Sequence, residues 1–282
     1  MTGLDFLKRV AMGETPLRGD RLVVVGGGNV AMDCSRTALR LGFSEVHLLY
    51  RRTQEEMPAD VEEFLQAREE GVEFRYLLQP VRIRSDENGR VAGLECVRME
   101  LGEPDESGRR RPEPVQGSEL VIECDAVSPA IGQTCVVDCV LPDEDQVRLS
   151  PWNTLVVDGT TQQSDNERIF GGGDCTTGPD SLIKALAAGK RAARHIAQFL
   201  ETGACRPEPD ELLQSYINEL SVFDPAESMP APGASPRAEP QLRPAGERRH
   251  DFREVEEGLS QSQALYEASR CPRCYRIGVA AL

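Results

Sequence analysis

Between residues 21 and 78 the apolar positions fall into short runs separated by stretches of helical period. Leu22 to Val25, Val46 to Tyr50 and Val72 to Leu77 read as strands, while Val30 to Leu41 and Ala59 to Glu70 place apolar residues at helical spacing. Pro58 stands just before the second helix, where a missing N–H costs little. This alternation predicts βαβαβ and therefore a parallel sheet. From Pro80 to Leu101 the period drops to two on either side of Asp86-Glu87-Asn88-Gly89, which predicts a β-hairpin. Gly102 to Gly117 is polar and broken by Pro and Gly, so a solvated loop is expected. Its arginines 109–111 are offset by neighbouring glutamates and are not read as a phosphate site. Further strands are expected through Leu120 to Ile131, around Leu155 to Val157 and at Arg168 to Phe170. The last runs into a glycine turn and a long helix from Pro179 to Leu200. Residues 206–250 are proline-rich without apolar period, a flexible linker by composition, and residues 251–282 hold one short helix, about Ser260 to Ser269, before a CxxC.

Composition narrows the possibilities. A chain of 282 residues with 39% hydrophobic residues can bury a core. A net charge of −15 without a long basic run excludes the phosphate-neutralising surface that nucleic acid requires. The opening MTGLDFLKRVAMGE has too short an apolar patch for a secretory or membrane segment, so a cytoplasmic location without membrane insertion is expected. Of nine cysteines, the seven from Cys34 to Cys205 are scattered and read as ordinary reduced thiols. Cys271 and Cys274, the CxxC pair, are a separate matter.

The sharpest chemical signal is LVVVGGGNVAMDCSRTALRLG, where Gly26, Gly28 and Ala31 form GxGxxA between a strand and a helix. Such a turn lets backbone amides reach a diphosphate at a helix N-terminus. Gly26, Gly27, Gly28, Asn29, Val30 and Ala31 are therefore candidate dinucleotide contacts. At the end of the second strand, where an acidic residue would select NAD, stand Arg51 and Arg52. Two guanidinium groups favour a 2′-phosphate, hence NADP(H) over NAD(H), unless they merely decorate a loop and pair with Glu55 and Glu56. A second cluster, IFGGGDCTTGPDSLIKALAAGKRAARHIAQFL, again joins strand to helix and looks like a second cofactor site, with Gly173 and Asp174 at its turn. His47, His195 and His250 lack the neighbours of a triad, and no paired carboxylates stand out. No catalytic side chain is assigned, consistent with hydride transfer carried by cofactors.

These motifs, together with DFL near the start, YRR followed by EEMPA, GLECVRMELGEPDESGRRRP, PAIGQ and GGGDCTTGP, resemble the glutamate synthase small (beta) subunit and related NAD(P)H/FAD oxidoreductases. The resemblance covers nearly the whole chain. It implies a two-dinucleotide-binding-domain flavoprotein, α/β in class, with a Rossmann-type NAD(P) domain inserted in a partial FAD domain. It further implies that Gly26 to Ala31 with Arg51 and Arg52 bind the nicotinamide dinucleotide. Gly173 and Asp174 would contact the ribityl and pyrophosphate part of FAD. Ile131 and Gly132 would lie near the flavin or nicotinamide, and the helix beginning near Ser181 would point its positive end at the flavin ring. The family's own N-terminal FAD-binding GxGxxG and cysteine-rich region have no counterpart here, so a partner chain is expected to complete the FAD site.

The layout expected is therefore residues 1–20 as the start of a partial FAD domain and 21–118 as the Rossmann domain. Residues 119–205 follow as the rest of the FAD domain, then 206–250 as linker and 251–282 as a helix and CxxC tail. By the same resemblance Cys271 and Cys274 could share a [4Fe-4S] cluster with partner cysteines. Shared zinc, a disulfide or a bare CxxC are the alternatives. The function expected is electron transfer from NAD(P)H through FAD to iron–sulfur centres of partner subunits in a multi-subunit complex. The competing reading is a non-redox scaffold or regulatory subunit that keeps the nucleotide fold.

Overall fold

The computed structural model of the chain describes residues 1–104, 109–136, 147–207 and 236–269, together with residues 209, 212 and 216. It divides into two compact units, residues 1–131 with 236–282 and residues 132–235.

In the first unit, β1 (Arg21–Val25), α2 (Asn29–Arg40), β2 (Glu45–Tyr50), α3 (Val61–Glu69) and β3 (Glu73–Tyr76) form the expected βαβαβ, preceded by α1 (Gly3–Ala11). The strands are parallel, in the order β3-β2-β1-β8, the fourth being Ala126–Pro129. Alternation along β1 explains the layering, because successive side chains point to opposite faces. Leu22 and Val24 pack with Phe6, Met32, Leu39 and Phe64 of the helices, whereas Val23 and Val25 pack with Leu94, Cys96 and Ile122. The second set comes from an antiparallel sheet of β4 (Leu78–Ser85), β5 (Val91–Pro104), β6 (Arg110–Pro114) and β7 (Leu120–Glu123).

The architecture departs from expectation in several places. The Gly102 to Gly117 segment is in part a ribbon, with Leu101 opposite Pro112 and Pro104 opposite Arg110. Its residues are mostly exposed on both faces, so no apolar period betrays the strands. The single strand expected through Leu120 to Ile131 is two. β7 joins β5, and β8 crosses to pair with β1. The Asp125 carboxylate at the break accepts hydrogen bonds from the amides of Asp20 and Arg21, both at 2.8 Å, which ties the bend to the start of β1. The first unit runs to Ile131. Residues 1–20 belong to it as well, since Phe6 of α1 is fully buried in the core shared with α2.

A further difference is the stretch from Pro236 to His250, expected as linker, which packs on the first unit. Here α6 (Ala245–Arg248) inserts Arg248 into the interior. Its Nε donates to Glu70 at 2.9 Å and its Nη2 to Glu69 at 2.7 Å. Glu70 is completely buried and also receives Arg36 and Arg40, each at 2.9 Å. Burial alone would push the Glu70 carboxyl up, but the hydrogen bonds from Arg36 and Arg40 outweigh it and hold the group below its ordinary range. A short helix, α7 (Gln261–Ser269), ends the described tail, and Cys271 and Cys274 lie outside the described residues.

The second unit is built from turns, with bridges between Leu149 and Leu155, Val157 and Ser164, and Gln163 and Phe170 where two strands were expected. A short helix, α4 (Asp174–Thr177), and a long one, α5 (Leu182–Thr202), follow. Phe170 meets Phe199 edge-on, with ring centroids 6.2 Å apart. No helix among the described residues is long and apolar enough to cross a membrane.

Candidate functional site

The turn between β1 and α2 is shaped by what surrounds each glycine. Gly26 sits at φ 153° and donates its amide to the Leu49 carbonyl at 3.0 Å, where an added Cβ would overlap the Ala130 carbonyl oxygen. Only a residue without a side chain can bring the end of β1 this close to the end of β8. A Cβ on Gly27 would stand 2.5 Å from the Tyr50 ring, so that ring covers the turn from the β2 side. Gly28 differs, since nothing lies within 4 Å of its Cβ position, and it opens α2 with no side-chain cap. Of the first-turn amides, that of Ala31 donates to the Gly28 carbonyl at 2.9 Å, while those of Asn29 and Val30 lie beside that open space. Ala31 is fully buried beneath the turn. An open cradle at an uncapped helix start, walled by Gly26 and Tyr50, fits a diphosphate by geometry and by the sign of the helix dipole.

Residues 50–60 wrap this cradle. Tyr50 donates its hydroxyl to the Glu56 carbonyl at 2.8 Å, Ala59 donates its amide to the Gly27 carbonyl at 3.1 Å, and Asp60 donates to the Asn29 side chain at 2.8 Å. Thr53 and Glu56 form a capping box, and the Thr53 hydroxyl holds the Glu56 carboxyl below its ordinary range. That carboxylate is thus engaged by Thr53 rather than by the arginines. The two arginines separate. Arg51 is exposed, whereas Arg52 is buried and donates to the Arg110 carbonyl at 2.7 Å on β6. Sequence reasoning missed the covering role of Tyr50 and the clasp made by Asn29, because both depend on where β2 and the 3-10 turn Gln54–Glu56 lie.

The second glycine cluster lies in the other unit. Gly173 has φ 80° and comes close enough to α5 that an added Cβ would be 3.2 Å from Ala185. A cleft of about 140 Å³ is lined there by Gly173, Asp174, Thr177, Asp180, Lys184 and Arg191. Arg191 Nε is buried without a hydrogen-bond partner among the described residues. Lys184 pairs with Asp180 at 2.8 Å. Ser181 caps α5 through its backbone, with no side-chain cap bond. Lys184 and Arg191, not anticipated from sequence, were detectable as the cations seven apart on the helix that follows the glycine turn. Ile131 is 77% exposed at the end of the first unit, and Gly132 opens the second with φ 127° and free space around it.

A larger cleft of about 490 Å³, lined by Arg148, Asp158, Thr161, Ser164, Asp165 and Cys205, contains none of the expected site residues. Its polar groups satisfy one another, Asp158 accepting from the Thr160 and Thr161 amides and Arg148 pairing with Asp165. The buried thiols are also unsuited to redox work. Burial pushes Cys34 up to about 12 and Cys96 and Cys124 up to about 11, which keeps them protonated. His47 is buried beside Glu73 and Arg75 and is lowered chiefly by that burial, a structural position.

Parallel strands, a glycine-lined cradle at a helix start and helices over one sheet face define a Rossmann-type dinucleotide-binding protein. The chain belongs to the pyridine nucleotide-disulphide oxidoreductase family, whose pattern it matches over residues 3–189. It is 44% identical over 303 aligned positions to the NADPH-Fe(3+) oxidoreductase subunit beta of Geobacter sulfurreducens, a match covering 99% of this chain and 45% of that protein. It is 42% identical over 187 positions to the glutamate synthase [NADPH] small chain of Escherichia coli, covering 66% of this chain and 40% of that one. The chain thus spans less than half the length of either relative. Among solved structures, T. acidophilum thioredoxin reductase has the same fold, with a TM-score of 0.52 and 20% identity over 66% of this chain and 54% of that one.

Proposed function

We propose that this chain is the nucleotide-binding part of an NADPH-dependent flavin oxidoreductase. The open Gly28 cradle at the uncapped start of α2 carries the reading, because it leaves space and dipole for a diphosphate beside two glycines, Gly26 and Gly27, that are closely walled. Gly26 to Ala31 hold the diphosphate, and Arg51, exposed at the end of β2, meets the 2′-phosphate. Arg52 anchors that loop to β6. NADPH, when bound, supplies a hydride. The relatives named for NADPH support the choice over NADH.

In the second unit Gly173, Asp174, Lys184 and Arg191 fit part of FAD. The Asp174 carboxylate would accept hydrogen bonds from ribityl hydroxyls, and Arg191, half-buried with its Nε enclosed and unused among the described residues, would supply positive charge toward a phosphate. FAD, when bound there, would supply two-electron and one-electron redox chemistry. The adenylate-binding part of the flavin site and the iron–sulfur centres are read as lying on polypeptide outside these 282 residues, in a cytoplasmic multi-subunit complex. Cys271 and Cys274 are read as ligands of a cluster shared with such a partner.

The visible spectrum of the native assembly under anaerobic NADPH is the test. Bleaching of the flavin band is the expected outcome, and an assembly that binds this chain but shows no bleaching refutes the proposal.

A further inference from the structure

In sequence the arginines 109–111 stand among glutamates, and the fold sorts them. Side chains alternate along β6, so Arg111 shares a face with Glu113, which lies opposite Glu100, whereas Arg110 shares the other face with Pro112 and Pro114. The paired carboxylates of the ribbon therefore go with Arg111 and leave the charge of Arg110 uncompensated. Arg110 is exposed, its Nη2 donates to the Leu101 carbonyl at 2.9 Å, and it forms no ion pair among the described residues. The same residue is fixed beside the end of β2. Arg52, itself buried, donates its Nε to the Arg110 carbonyl at 2.7 Å, which holds that backbone against the turn following Arg51. The charge of Arg110 is felt on this turn. There the Thr53 hydroxyl chiefly holds the Glu56 carboxyl below its ordinary range, and Arg110 adds to the effect. Glu56 is engaged by the hydroxyl and the amide of Thr53, so it does not take up Arg110 as an ion-pair partner.

We infer that Arg110 is a second cation for the 2′-phosphate of the nicotinamide coenzyme, acting with Arg51, an inference that rests on the functional reading above. In a Rossmann-type unit the residues just after the second strand meet the 2′ position of the adenosine ribose. Two exposed arginines border that place, Arg51 at the end of β2 and Arg110 on β6, with the buried Arg52 spanning the gap between their segments. A phosphate monoester carries about 1.5 to 2 negative charges near neutral pH, more than one arginine neutralises. Two planar guanidinium forks arriving from different segments can each take oxygens of the same phosphate, which a single loop cannot arrange. NADH offers a hydroxyl there, so it gains nothing from either charge. The ribbon that carries Arg110 is thereby part of coenzyme selection, although it begins nearly sixty residues beyond the glycine turn.

The test is calorimetric titration of the native assembly with NADPH, with NADH and with adenosine 2′,5′-bisphosphate, which keeps the 2′-phosphate and lacks the nicotinamide. Arg110→Gln removes the charge and leaves in place the backbone carbonyl that Arg52 uses, so the ribbon keeps its anchor. It is expected to weaken NADPH and the bisphosphate by about tenfold and NADH by less than about twofold. Arg111→Gln, on the other face of the ribbon, is expected to leave all three within about twofold. The double variant Arg51→Ala with Arg110→Gln is expected to bind NADPH no more tightly than NADH. Unchanged NADPH affinity in Arg110→Gln, an equal loss of NADPH and NADH, or the same selective loss in Arg111→Gln overturns the inference. If Arg51→Ala selects against NADPH and Arg110→Gln does not, only this inference fails. If the unsubstituted assembly binds neither coenzyme, the functional reading itself has failed.

Discussion

Gly26 and Gly28 stand two positions apart and answer differently to the same substitution. At Gly26 an added methyl meets a backbone carbonyl that cannot yield, so Gly26→Ala is expected to cost roughly 2–4 kcal/mol and lower the melting temperature along with NADPH binding. At Gly28 the methyl enters open space. Gly28→Ala is expected to keep its melting temperature while weakening NADPH about tenfold by calorimetry, since the methyl occupies the approach of the diphosphate. Equal effects at the two positions contradict the cradle. Arg51→Ala is expected to lose about 1–2 kcal/mol for NADPH and nothing for NADH, the signature of a 2′-phosphate contact. Arg52→Ala is expected to destabilise the fold without that selectivity, because its guanidinium serves the Arg110 carbonyl. The glycine spacing was legible in sequence because the turn is local. The division of labour between Arg51 and Arg52 was not, because it is set by β6, nearly sixty residues away.

At the scale of elements, the docked α6 shows how one buried carboxylate can organise three segments. Glu70 of the α3 end gathers Arg36 and Arg40 from α2 and Arg248 from the tail. Arg248→Ala removes one of the three cations from a fully buried carboxylate and is expected to cost about 3 kcal/mol, releasing residues 236–258 to proteases while the parallel sheet stays folded. Acid has a related effect with a defined sign. The folded Glu70 carboxyl lies below its unfolded value, so its contribution is complete above the unfolded value of about 4.3 and is lost as the pH falls through the folded one. Urea midpoints measured from pH 6 downward are expected to fall in that window, and less steeply in Glu70→Gln. A flat profile in the unsubstituted protein contradicts the account. Composition alone made residues 206–250 a linker, since the segment is rich in Pro without apolar period and Arg248 looks solvent-exposed by type. Burial of an arginine is visible only once its carboxylates are in place.

Across the whole molecule, the chain presents two units, and its sequence carries a cysteine pair at 271 and 274. If Cys271 and Cys274 share a cluster, Cys274→Ser is expected to lower the iron content of the native assembly by metal analysis, and unchanged iron removes them as ligands. By itself the sequence determined the βαβαβ order, the glycine cradle and the second glycine turn, since strand period, helix period and turn chemistry are all written within ten to twenty neighbouring residues. Only tertiary structure decided that β8 completes the parallel sheet, that α1 and residues from 236 onward belong with the nucleotide-binding unit, and that Arg52 and Arg248 are buried. Each of those outcomes depends on a partner far along the chain, and a hydrophobic or charged pattern specifies that a face must be covered without specifying what covers it.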